Sequence, residues 1–116
     1  MPATALEEQN RKNNFVYANS GDASGTAATA TITAPDDGRR IVITTIVARY
    51  SSLTQVGMIT VKDGANVVAE IPIVGYIWLP AITIGGSKNT AMSATLSAPI
   101  GGVTANITIM GFKERL

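Results

Sequence analysis

Residues 67–87 read VVAEIPIVGYIWLPAITIGGS and carry one charge, Glu70. A run this apolar is a membrane span, a buried core segment, or a surface that another protein covers. A membrane helix needs about twenty apolar residues without helix breakers, and here Pro72, Gly75 and Pro80 interrupt the run. Proline costs about 3 kcal/mol in a helix interior, so a spanning helix is not expected. Prolines do suit edge strands and strand ends. The stretch therefore divides into strand-like segments over 67–74 and 76–84, bent at Gly75. Alternation along the second places Tyr76, Trp78 and Pro80 on one face, with Ile77 and Leu79 on the other. Both faces need cover. Trp78 fits a core position or a contact surface equally, since tryptophan and tyrosine are enriched at binding hot spots.

The rest of the chain agrees with strands. Ile, Val and Thr supply 36 of 116 residues, and β-branched side chains favour pleated sheets. TAATATITA (26–34) sets Ala28, Ala30 and Ile32 against Thr29, Thr31 and Thr33. AMSATLSA (91–98) turns Met92, Ala94 and Leu96 inward, and VTANITIMGF (103–112) does the same with Val103, Ala105, Ile107 and Ile109. Period-two alternation with one polar face marks a half-buried strand. GMITVKDGANVVAEI (57–71) reads as a hairpin about Asp63-Gly64. Turn signals recur at NSGDASG (19–25), PDDG (35–38), IGGS (84–87) and APIGG (98–102). Short strands between regular turns predict an all-β, single-domain antiparallel β-sandwich or small barrel over 15–116. RRIVITTIVARY (39–50) is apolar on both faces, so it is expected to lie centrally or to meet another subunit. Residues 1–14 are expected to form either a polar N-terminal arm or a short helical turn over 5–11 capped by Thr4 and Glu7.

Composition narrows the function. The chain has no cysteine and no histidine, and its net charge is +1. Disulfides and thiolate chemistry are excluded, and so are the commonest general base and metal ligand. Arg11-Lys12 and Arg39-Arg40 are isolated pairs, too little for the basic stripe that nucleic-acid binding requires. Charged residues make up 15% of the chain, against about a quarter in soluble domains. Low charge suggests that partners cover part of the surface. The opening MPATALEEQNRKNN has no apolar central region, so export by a signal peptide is not expected.

No catalytic set emerges. The serines lack a histidine to activate them and there is no nucleophile elbow. Ser87 beside Lys88 sits in a glycine loop whose lysine is expected in solvent. Asp36 and Asp37 are adjacent turn carboxylates balanced by Arg39 and Arg40, while Asp22 and Asp63 are also read as turn residues. Glu70 stands alone in an apolar strand, where an edge position accounts for it. No metal spacing or phosphate loop occurs, and the NIT triplet at Asn106 is a weak glycosylation match inside a strand. The expectation is a protein that is not an enzyme, with no cofactor, no membrane and no nucleic acid.

The chain resembles the small head decoration, or cement, proteins of tailed bacteriophages. The residues that carry the likeness are TAATATITAP (26–35), RRIVITTIVARYSS (39–52), GMITVKDGANVVAEIPI (57–73) and NTAMSATLSAPIGGVTANITIMGF (89–112). The resemblance implies a jelly-roll-like sandwich on the outer surface of a virion capsid. It would bind the major capsid protein across capsomer joints as a homo-oligomer, dimer or trimer. The candidate interface is Tyr76, Trp78, Leu79, Ile77, Arg39 and Arg40. The alternative is the β-sandwich head of a phage tail or fibre binding a host carbohydrate, with Tyr76 and Trp78 stacking on the sugar and Asp36 and Asp37 binding its hydroxyls.

Overall fold

A computed structural model describes residues 14–115. The expected arm or capped turn over 1–14 lies outside them except for Asn14. Among the described residues, ten strands form two antiparallel sheets. The first holds β1 (Phe15–Asn19), β10 (Thr104–Arg115), β4 (Arg39–Tyr50) and β7 (Tyr76–Leu79), in that order. Two short strands extend it: β2 (Ala23–Ser24) on β10, and β8 (Ile84–Gly85) on β4. The second runs β3 (Ala28–Ile32), β9 (Met92–Leu96), β5 (Val56–Asp63), β6 (Asn66–Val74).

β1 and β2 pair with successive parts of the same edge of β10, so they are one interrupted strand. β7 and β8 stand in the same relation to β4. Counted that way there are eight strands, ordered 1-8-3-6 and 2-7-4-5 across the two sheets. This is the jelly-roll order, built from two Greek keys. The all-β sandwich expected from alternation and turn spacing is the observed fold.

Gly75 makes the layer change on which that order depends. β6 ends the four-stranded sheet and β7 begins the edge of the other. Gly75 joins them with φ +72°, and a Cβ there would lie 2.5 Å from the Leu53 carbonyl oxygen. Its amide donates to Gln55 O (2.8 Å), and its carbonyl accepts from Tyr50 N (2.7 Å). Only glycine has both the conformation and the room. Pro72 lies on edge strand β6 and Pro80 follows edge strand β7, where a missing amide is tolerated.

The core lies between the sheets and is filled by Ile41, Ile43, Ile46, Ile59, Val61, Met92, Leu96, Ile107 and Ile109, all fully buried. β4 explains its own odd pattern. Met110 faces Thr45 across the ladder, yet Gly111 faces Ile43, leaving Thr44 as the extra residue of a β-bulge. The bulge switches the inward set from Ile41 and Ile43 to Ile46, Ala48 and Tyr50. Two runs of correct alternation joined out of phase look apolar on both faces.

A polar contact ties the sheets at each end. At one, the Tyr50 hydroxyl crosses Gly57 and donates to the Ser97 carbonyl (2.8 Å). At the other, Asp63, 8% exposed, accepts from Ser87 N (2.9 Å) and Ser87 Oγ (2.5 Å). Asp63 is therefore a buried anchor at the end of β5 rather than a solvated turn residue. The turn itself is Gly64-Ala65, with Gly64 at φ +61°.

Candidate functional site

The sheet β1-β10-β4-β7 buries its inner face and exposes its outer one. Residues opposed across antiparallel strands share a face, so the register sets out that surface in rows. Phe15 faces Phe112, which faces Val42. Tyr17 faces Met110, which faces Thr45. Asn19, Thr108, Val47 and Trp78 form the next row. Asn106, Arg49 and Tyr76 form the last. Five of the six aromatic residues, Phe15, Tyr17, Tyr76, Trp78 and Phe112, thus point outward from one sheet, and Tyr50 alone is in the core. Their exposures run from 37% for Phe112 to 58% for Tyr17 and Trp78. Exposed aromatic rings gathered on one face match the composition in which protein contact surfaces are enriched.

The six residues named from sequence do not form one site. Tyr76 and Trp78 are exposed, as alternation allows. Ile77 and Leu79, on the opposite face of β7, are half-buried and pack against the core. Arg39 and Arg40 begin β4, whereas Arg49, the partner of Tyr76, nearly ends it. Ten residues of strand separate Arg39 from Arg49, about 33 Å at the usual rise. Arg40 binds Glu114 across the ladder through Nε (3.0 Å) and Nη2 (2.5 Å) to Oε1. Arg39 pairs with Asp37 (2.5 Å) and hydrogen-bonds Asn14. The Arg39 side chain holds the Asp37 carboxyl below the usual carboxylate range. Asp36 and Asp37 precede β4, so they are remote from Tyr76 and Trp78 and cannot share a sugar with them.

Charge is sorted along the molecule. Asp36, Asp37, Arg39, Arg40, Lys62, Lys88, Lys113, Glu114 and Arg115 gather at the end holding the β5–β6 turn. The opposite end exposes Leu53, Val56, Val74 and Ile100, with only Asp22 and Arg49 charged nearby among the described residues. Glu70 lies exposed on edge strand β6, opposite Thr60. Among the described residues, no group of His, Cys, Asp or Glu is placed to hold a metal ion, and no helix is long and apolar enough to cross a membrane.

Phe15, Tyr17 and Phe112 were legible but unclaimed. NFVYAN alternates, and Met110 and Phe112 have the parity opposite to inward-facing Ile107 and Ile109. Arg49 gave no signal, because its aromatic neighbour comes from a strand 27 positions away in the chain.

No protein-family model and no curated protein matches the sequence. A solved structure titled "Crystal Structure of FLHE" is similar at a TM-score of 0.46 and 10% identity, over 89% of this chain and 96% of that one. A likeness at that level carries no functional argument.

Proposed function

We propose that this protein is a structural component of a bacteriophage virion that decorates the outer capsid surface and binds the major capsid protein across capsomer joints. The observation that carries the reading is the aromatic outer face: five rings on one sheet of a small domain. The shell contact is centred on Phe15, Tyr17 and Phe112, with the half-buried Met110 beside them in register. Burying those rings releases water from apolar surface, worth about 25 cal/mol per Å². A stable contact removes roughly 1,200–2,000 Å² in total, and many copies around a shell multiply a modest single affinity. A jelly roll suits this work because its hydrogen-bonded sheets hold the face rigid without a ligand or metal. Assembly of the chain as a dimer or trimer belongs to the same proposal.

Quantifying this 12.0 kDa chain against the shell protein in purified particles tests the role. A simple stoichiometric ratio is expected, and absence from particles overturns it. The paired substitution Phe15→Ser and Tyr17→Ser, at rings more than half exposed, should release the chain from particles while leaving its melting temperature within a few degrees. Retention at wild-type copy number would remove the aromatic face from the contact.

A further inference from the structure

We propose that the corner made by Tyr76, Trp78, Arg49, Asn106 and Asp22 is a binding site for an acidic pyranose, a uronic-acid unit of a polysaccharide. It does not rest on the decoration role. The corner lies at the Arg49 end of β4, away from the Phe15–Phe112 row, and is exposed in the free chain.

Four features converge there. Tyr76 and Trp78 are alternate residues of one edge strand, on one face and more than half exposed. Their rings stand about 7 Å apart along the strand, by the rise of two residues, and offer apolar faces to the C–H side of a sugar ring. Arg49 is directly opposite Tyr76, is exposed, and makes no ion pair among the described residues. A guanidinium in that state is a bidentate donor for a carboxylate. On its other side stands Asn106, also in direct register. Asn19 Nδ2 donates to Asn106 Oδ1 (2.9 Å), and Asn106 Nδ2 donates to Asp22 Oδ1 (2.7 Å). That chain orients Asp22 and leaves its second oxygen as an acceptor for a hydroxyl. Arg49 also borders an open hollow of about 170 Å³, lined by Asp22, Arg49, Ser51, Thr104 and Asn106, on the side away from the two rings.

The combination selects the ligand. One cation next to Asp22 is a poor phosphate site, because the carboxylate repels the extra negative charge. A neutral sugar would leave Arg49 without its best partner. A carboxylate without a ring would leave both aromatic faces wet. A uronic-acid unit supplies the carboxylate for Arg49 and the apolar ring face for Tyr76 and Trp78 together, and the next sugar of the chain brings hydroxyls toward Asp22, about three strand spacings from Tyr76.

Trp78 is the only tryptophan, so intrinsic fluorescence of the full chain reports on this corner. Titration with methyl glucuronide and methyl galacturonide should give a saturable change for at least one of them. The matching neutral glycoside should bind about tenfold more weakly, and acetate should have no effect, as expected for a charge-assisted contact added to stacking. Arg49→Gln should bring the uronide down to the neutral sugar's affinity at an unchanged melting temperature. Tyr76→Ala should weaken both sugars. A flat response to both uronides, an equal response to acetate, or an Arg49→Gln chain that binds uronide normally would each overturn the proposal.

Discussion

Gly111 is the residue on which the six-stranded sheet should be most sensitive. It faces Ile43 beside the bulge at Thr44, and its φ is not in the left-handed region, so alanine there carries no backbone strain. The cost is steric. A Cβ would sit 1.9 Å from the Val42 carbonyl oxygen and 3.0 Å from Ile43 Cα, both backbone atoms that cannot rotate away. A carbon and a carbonyl oxygen approach no closer than about 3.3 Å, so β10 must retreat from β4 by about 1.4 Å. Ladder hydrogen bonds near 2.9 Å then exceed the distance at which they hold. Losing two or three of them at about 1 kcal/mol each, plus partial unpacking of Ile41 and Ile43, gives about 3–5 kcal/mol for Gly111→Ala. Gly101→Ala is the control, since nothing lies within 4 Å of its Cβ and its φ is ordinary. It should be neutral or stabilising by up to about 1 kcal/mol. With a urea slope of about 1–3 kcal/mol/M for a chain of this size, the Gly111→Ala midpoint should fall by about 2 M while that of Gly101→Ala holds. A Gly111→Ala protein within about 1 kcal/mol of wild type would refute the bulge as a close-packed requirement.

Asp63→Ala should cost about 2 kcal/mol by releasing Ser87 from both hydrogen bonds, with faster amide exchange at residues 86–88 but not at the Tyr50 end. Tyr50→Phe should cost about 1–2 kcal/mol, because the ring still fills its place and only the hydroxyl's bonds to Ser97 O and Ser97 Oγ are lost. Trp78→Ala should change stability by no more than about 0.5 kcal/mol, as expected for a side chain 58% exposed; a loss above 2 kcal/mol would place the ring in the core. In an NMR pH titration, Asp37 should ionise below the ordinary carboxylate range and return to it in Arg39→Gln. Because its folded value is lowered, the pair's small contribution is present at neutral pH and is lost as pH falls through that value.

Much of the fold was legible because alternation is a local property. The inward sets of β3, β9 and β10 follow from period two alone, since each strand has one dry face and one wet face. The breaks at Pro72, Gly75 and Pro80 exclude a spanning helix, and Gly75 and Pro80 mark strand ends by covalent geometry while Pro72 sits within edge strand β6. Low charge and missing histidine and cysteine limit the chemistry for similarly local reasons. Tertiary structure decided what depends on register between distant strands. The bulge at Thr44 is visible only against β10, and without it 39–50 looks two-faced. Asp63 resembles any turn aspartate until the chain returns at Ser87 to bury it. Arg39 and Arg40 belong at the far end of β4 from Tyr76, because antiparallel pairing reverses direction and places neighbours in composition about 30 Å apart. The gathering of five aromatic residues onto one face, from β1, β7 and β10, is likewise a product of strand order. A sequence specifies which side of each strand is dry, but the loops and cross-strand hydrogen bonds specify which strands stand together.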